Sequence, residues 1–243
     1  MDVIAVLDLK NGAVVHGQAG NREQYQIIKS QILDSKPPTA NNIVASCIKK
    51  LSITNFYIAD LDAIEDQGNN FNTVLELANN FPQATFMLDA GFNKLDTAKK
   101  FLKAGLNIII ATETLKNIDY LNQLSKWKEN IILSIDFKSG RFLLDLKKDY
   151  TAKEFIIQMK EFGFKKFILL DVGQVGSEKG IKKEIINLAN DFSELDLITG
   201  GGVRNYQDAL NLKKNNFKGV LIATALHKEK ISKKNIAALE GRI

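Results

Sequence analysis

One cysteine, two histidines and four arginines are all that this 243-residue chain holds of those three residue types. The single Cys47 excludes a disulfide framework and any multi-cysteine metal centre. His16 and His227 are too few for a histidine-rich zinc site, so no metal is expected. Long apolar runs are missing as well. The longest cover residues 3–7, 108–111 and 167–170, far short of the ~18 a membrane span needs. The opening MDVIAVLDLK has no basic stretch and no small-residue cleavage pattern. Neither a signal peptide nor a membrane partner is expected, and a cytoplasmic location is the default.

What is present is an ordinary globular balance, with 45% hydrophobic and 25% charged residues. Lys and Arg number 33 against 28 Asp and Glu, a net charge of +5. The positive charge is almost all lysine, dispersed through segments such as LDTAKKFLKAG and LNLKKNNFKG. Nucleic-acid binders gather Arg and Lys on one face, so these dispersed lysines read as solvated helix faces and no nucleic-acid partner is expected. No feature indicates a protein partner.

Short, nearly continuous apolar runs lie at residues 3–8, 56–60, 85–88, 107–111, 131–136, 166–171, 195–199 and 219–223. Such runs suit strands buried on both faces of a parallel sheet. Amphipathic stretches alternate with them, among them NNIVASCIKKL, KLDTAKKFLKAG, TAKEFIIQMKEFG and SKKNIAALEG. Eight strand–helix units in this length predict a (β/α)8 TIM barrel, a single α/β domain over residues 1–243. An open doubly wound sheet is the alternative, but no G-x-G-x-x-G loop follows the first strand. Residues 12–38, ending at Pro37-Pro38, are longer than the other connections and predict a short β-hairpin plus a mobile loop over the barrel mouth.

The chain also repeats itself. VIAVLDLKNGAVV matches IILSIDFKSGRFL, setting Asp8 against Asp136; NFYIADLDA matches KFILLDVGQ, setting Asp60 against Asp171. DAGFNKLDTAKKFLKAGLNIIIATETL matches GGGVRNYQDALNLKKNNFKGVLIATALHK, setting Gly91 against Gly202 and Thr112 against Thr224. Four matches in order predict two fused half-barrels, about residues 1–126 and 127–243.

Active sites of such barrels lie at the C-terminal ends of the strands. Asp8 and Asp136 end the first and fifth strands, opposite each other in an eight-strand ring. Two facing carboxylates suit a general acid and a general base. Asp60 and Asp171 also end strands, where each either meets the substrate or anchors a loop, and Lys10 and Lys138 follow the first pair by two residues. After the seventh strand comes TGGGVRN, residues 199–205. Backbone N–H groups of Gly200, Gly201 and Gly202, with Arg204 beside them, suit a phosphate, and Ala223 and Thr224 after the eighth strand complete the cradle. The matching first-half segment, Asp89-Ala90-Gly91-Phe92-Asn93, keeps one glycine of three and gains an acid, and Glu113 after Thr112 adds another. One phosphate is therefore expected in the second half, with Gly91 and Thr112 as lesser contacts in the first. Arg22 in the mouth loop is the leading candidate for a second phosphate, with Lys29 behind it. Cys47, spaced four residues from Ile43 and Leu51, predicts core packing, and Trp127 packs near a helix end. His16 and His227 are isolated candidates for ligand contact.

LDLKNG, DLDA, IDFKSG, GGGVRN and ATAL, in this order after strands one, two, five, seven and eight, resemble the HisA/HisF-like barrels of histidine biosynthesis. The resemblance spans about residues 3–230 and is closer to the isomerase than to the cyclase. It implies an aldose–ketose isomerisation of the Amadori type on a small phosphorylated sugar-like substrate. The residue matching the general base is Asp8, the residue matching the general acid is Asp136, and no cofactor is implied. The chain departs from the family where Leu170-Asp171 stands for Thr-Asp, where Gln174-Val175-Gly176-Ser177 stands for Arg-Asp-Gly-Thr, and at Asp89-Ala90-Gly91. Gly176 and Ser177 remain possible substrate contacts by position. These departures suggest a divergent relative, whose substrate lies in the histidine pathway or is a different, mono-phosphorylated one; a non-catalytic phosphometabolite-binding barrel is the third reading.

Overall fold

A computed structural model describes residues 1–17, 21–144, 146 and 149–243, with the side chain of Arg22 excepted. Eight parallel strands form a closed ring: β1 (Asp2–Lys10), β2 (Asn55–Asp60), β3 (Thr85–Asp89), β4 (Asn107–Ala111), β5 (Ile131–Lys138), β6 (Lys166–Asp171), β7 (Asp196–Gly200) and β8 (Gly219–Ile222). Each strand pairs with the next, and β8 closes on β1 with Asp2 opposite Gly219 and Ala5 opposite Ile222. The (β/α)8 barrel predicted from the alternating pattern is the fold.

A helix returns the chain after each strand: α1 (Ala40–Ser46), α2 (Phe71–Asn80), α3 (Leu95–Lys103), α4 (Asp119–Leu124), α5 (Ala152–Glu161), α6 (Lys183–Asn190), α7 (Tyr206–Lys214) and α8 (Lys233–Glu240). Local chemistry sets their starts. Thr151 and Glu154 form a reciprocal capping box at α5, and Ser232 with Asn235 does the same at α8. Helix α1 runs on into a wider turn, Cys47–Leu51, which buries Cys47 as its spacing predicted.

Strand alternation divides the apolar residues into two cores. One side of each strand faces the helices, with Leu7, Phe56, Leu88, Ile110, Leu133, Phe167 and Val220 among the residues there. The other side fills the barrel, with Ile4, Tyr57, Met87, Ile109, Ile132, Ile168 and Leu221. Trp127 packs against the outer core.

The described residues of the long first connection are more packed than expected. Ala13–His16 pairs antiparallel with β1 and with Gln26–Ile27, which makes the predicted hairpin. Beyond it, Ile28, Ile32 and Leu33 are buried in the outer core, so apolar burial pins a segment expected to be mobile. Among the described residues, no helix is long and apolar enough to cross a membrane.

Candidate active site

Parity along the strands decides which acids reach the barrel mouth. Asp8 shares the inward side of β1 with Ile4 and Val6, and Asp136 shares that of β5 with Ile132 and Ser134. Both line one cavity at the C-terminal ends of the strands, about 1020 Å³ including its opening to solvent. Asp60 and Asp171 sit one residue out of phase with their inward neighbours Ala59 and Leu170, and neither lines the cavity.

Asp136 is buried to 2% exposure within a fixed hydrogen-bond shell. Ser134 Oγ donates to its Oδ1 at 2.6 Å. Thr112 Oγ1 donates to Oδ2 at 3.4 Å while accepting the Asp136 N–H at 3.0 Å. The Glu113 N–H also points at Oδ2, at 3.4 Å. Burial and then the charge of Glu113 push the Asp136 carboxyl up to about 7, against the opposing bond from Ser134. Asp8 is half-buried, and Gly17 of the mouth loop passes directly over it. A Cβ at position 17 would meet Asp8 Oδ2 at 2.7 Å and Val175 Cγ1 at 2.9 Å, so only glycine permits this approach.

The glycine turn lies at the second-half side of the same cavity. Gly201 and Gly202 line it with φ of +84° and +94°, which suit glycine, and Ala223 and Thr224 lie beside them. The Gly180 N–H donates to the Gly202 carbonyl at 2.8 Å and fixes the turn from behind. Ala223 precedes the short helical turn Thr224–His227, whose first N–H groups have no partner within the turn itself. Gly200 ends β7 packed against Leu221 and does not line the cavity. Arg204 does not line it either. Its Nε and Nη2 clasp Asp208 at 2.8 and 2.7 Å, an i,i+4 pair on the exposed start of α7.

The other candidate contacts divide in the same way. Thr112 holds Asp136, and Gly176 lines the cavity. Ser177 instead donates to Gln174 Oε1 at 3.2 Å, Lys10 pairs with Glu65 at 3.2 Å, and Gly91 donates its N–H to Asp89 Oδ1 at 3.2 Å. Asp171 accepts the Gly173 N–H at 3.0 Å and pairs with Lys182. The side chain of Arg22 lies outside the described residues. His16 lines the cavity, whereas His227 is buried with Nδ1 2.8 Å from Ser30 Oγ and so ties the mouth loop to the eighth connection.

Asp60 anchors a loop. Fully buried, it accepts from the Asn70 backbone N–H at 2.6 Å and from Asn70 Nδ2 at 2.7 Å, and Asn70 Nδ2 also bonds Asp62 at 2.8 Å. Asp62 and Asn70 in turn receive the N–H groups of Asn11 and Gly12, at 2.7 and 2.9 Å. Asp60→Ala strands these buried donors. It is expected to cost about 3 kcal/mol or more, read as a fall in Cm at constant m in urea, since unsatisfied buried partners each cost roughly 1–3 kcal/mol.

Sequence reasoning missed Tyr57, Ser134 and Gly17. Tyr57 lines the cavity floor and donates its hydroxyl to Asp89 Oδ2 at 3.1 Å. Its signal was present: it lies two residues before Ala59, on the inward side of β2, as Ser134 lies two before Asp136. Glu113 and Asp89, noted in the sequence only as acids hostile to phosphate, both line the cavity.

Among proteins of recorded sequence, an uncharacterized protein of Methanocaldococcus jannaschii is 33% identical over 231 residues, covering 94% of each chain. An enzyme of Halothermothrix orenii named 1-(5-phosphoribosyl)-5-((5-phosphoribosylamino)methylideneamino)imidazole-4-carboxamide isomerase is 28% identical, covering 93% of this chain and 94% of its own. Its namesake in Ruminiclostridium cellulolyticum is 25% identical with the same coverage. The family described as "Histidine biosynthesis protein" matches residues 2–232, and on that match over nearly its whole length the chain belongs to that family.

Proposed function

We propose that the chain is a HisA-like isomerase that converts a phosphorylated aminoaldose to an aminoketose by acid–base catalysis. The observation that carries this is a carboxyl held near neutrality, Asp136, sharing one cavity with the half-buried Asp8 on the facing strand. A group titrating near the working pH is the efficient proton donor. Asp136 gives its proton to the ring oxygen as the C1–O bond breaks, leaving an open-chain iminium. Asp8 then removes the C2 proton, and the electron pair moves into a C1–C2 double bond and neutralises the iminium. Protonation at C1 and loss of the hydroxyl proton at C2 give the ketone. Protons only are exchanged, so the sequence of steps calls for no redox cofactor. Gly201, Gly202, Ala223 and Thr224 seat the substrate phosphate through backbone N–H groups.

The relatives' printed name describes a substrate with two phosphoribosyl groups. A second reading, an isomerase outside histidine biosynthesis with a mono-phosphorylated substrate, is favoured by Asp89 and Glu113, which line the first-half side of the cavity. The same reading treats residues 1–126 and 127–243 as fused half-barrels, of which one keeps its phosphate turn.

Rescue of a bacterial strain lacking the isomerase separates the two. Growth without histidine supports the pathway enzyme; failure despite soluble expression leaves the mono-phosphate reading. The phosphate seat is tested apart from turnover. Gly202→Ala places a Cβ 3.0 Å from the Gly180 carbonyl at positive φ. It is expected to unfold cooperatively yet lose the rise in Tm that inorganic phosphate gives the parent chain, since a ligand stabilises only the state that binds it. An undiminished rise places the phosphate elsewhere.

A further inference from the structure

The two halves of the cavity differ at three positions that the internal repeat makes equivalent. Tyr57 corresponds to Ile168, Asp89 to Gly200 and Glu113 to Ala225. The second-half apolar side chain, glycine and alanine stay out of the cavity lining, whereas the first half puts a phenol and two carboxylates into it. Tyr57 and Asp89 are both buried and joined at 3.1 Å, and the Gly91 N–H holds the other Asp89 oxygen at 3.2 Å. These two donors fix the plane of the Asp89 carboxylate. Resting on the proposed phosphate seat, we infer that the Tyr57–Asp89 pair determines specificity, receiving a protonated amine or amidine of the substrate where a symmetric barrel would seat a second phosphate.

Electrostatics and geometry agree. Burial first, then Asp89, Asp136 and Asp8, push the Tyr57 hydroxyl well above its ordinary range, so the hydroxyl remains a donor. Among the described residues, no lysine or arginine lines the cavity, and the basic side chain that does, His16, is pushed down chiefly by burial. An anion at this pole meets like charge in a partly buried site, where repulsion is several-fold stronger than in bulk water. A cation meets the opposite, and a charge-assisted bond to a fixed carboxylate. The cavity is thus polarised along the substrate: backbone N–H groups at one end, where the lining Glu178 is paired with Lys228 and Lys230, and Asp89 and Glu113 at the other.

The test is calorimetric binding of four probes to the whole chain: inorganic phosphate, an alkyl phosphate, the aminoalkyl phosphate and the alkyl bisphosphate, over a short series of chain lengths. At the best length the aminoalkyl phosphate is expected to bind roughly 10- to 100-fold tighter than the alkyl phosphate, the ratio a hydrogen bond to a charged group supplies. The bisphosphate is expected to bind no tighter than the alkyl phosphate. Asp89→Asn keeps an acceptor for Tyr57 and removes the charge, so it should erase the amine's advantage and leave the alkyl phosphate unchanged. Tyr57→Phe should reduce the advantage through the loosened carboxylate. A bisphosphate that binds tighter than the alkyl phosphate overturns the inference, as does an amine preference that survives Asp89→Asn. Failure of inorganic phosphate to bind overturns the phosphate seat instead; the amine preference is then read from the alkylamine against the matching alcohol, and its absence overturns the inference too.

Discussion

Asp8→Asn is expected to lower turnover roughly 100- to 10,000-fold, the span that a positioned general acid or base contributes. The carboxylate stands at the end of β1 on its inward side, lining the cavity beneath Gly17. Asparagine keeps the shape and a hydrogen-bonding oxygen but cannot take a proton from carbon. The loss should fall on kcat. The proposed phosphate seat is the turn at Gly201 and Gly202, which follows β7 across the ring from β3, and a contact there is made equally in ground and transition states. Hence KM should move by only a few-fold, and phosphate should raise the Tm of the variant as it does that of the parent. Steady-state kinetics on the accepted aminoaldose phosphate, with rescue of the isomerase-deficient strain where the parent rescues it, reads both quantities. Wild-type turnover in Asp8→Asn removes the proposed base; a rise in KM with unchanged kcat reassigns Asp8 to binding.

The barrel was legible because eight apolar runs and eight amphipathic stretches alternate without interruption, and nothing else fills this length so regularly. The placement of Asp8 and Asp136 in one cavity was legible through the repeat. Parity was harder to read. Strands buried on both faces carry apolar residues on both, so hydrophobicity does not say which side looks inward. NFYIAD is such a run, and it hides the fact that Tyr57 faces the cavity while Asp60 faces the helices. Counting by twos back from Asp136 to Ser134, or from Ala59 to Tyr57, recovers the inward set once one inward residue is known. Arg204 was drawn to the phosphate by its place in GGGVRN, but Asp208, four residues on in the first turn of α7, takes the guanidinium in a two-pronged bond. That competitor was visible in the sequence as an acid four residues on, within reach of the long arginine side chain. The burial of Ile28, Ile32 and Leu33 was obscured because a contact that holds their segment, Ser30 to His227, spans 197 residues.

Asp136→Asn is expected to abolish turnover to a similar degree and, unlike Asp8→Asn, to change how stability depends on pH. In the folded chain Asp136 keeps its proton up to about pH 7, whereas an unfolded aspartate releases it near 4. Between those values the folded state binds the extra proton, so this group makes stability fall as pH rises, by at most about 1.4 kcal/mol per pH step. His227 acts in the opposite sense. Burial, and then His16, push it down to about 4 from an ordinary 6.5, so the folded state has shed a proton that the unfolded chain still holds. Its contribution is lost as pH falls from 6.5 through 4. In the parent chain the Asp136 slope is opposed over that shared window by His227 and by His16, which burial also pushes down. Asparagine resembles the neutral carboxyl in shape, and Ser134 can turn its hydroxyl to accept from the new amide. The variant should therefore match the parent near pH 4 and grow more stable than it with each step toward pH 7, its Tm gaining on that of the parent. Urea midpoints at pH 4.5, 5.5, 6.5 and 7.5 would read that divergence directly. Parallel profiles would show that Asp136 is ionised across the range and would remove it as the acid, and a parent pH–rate profile with no descending limb near 7 would do the same from the side of catalysis.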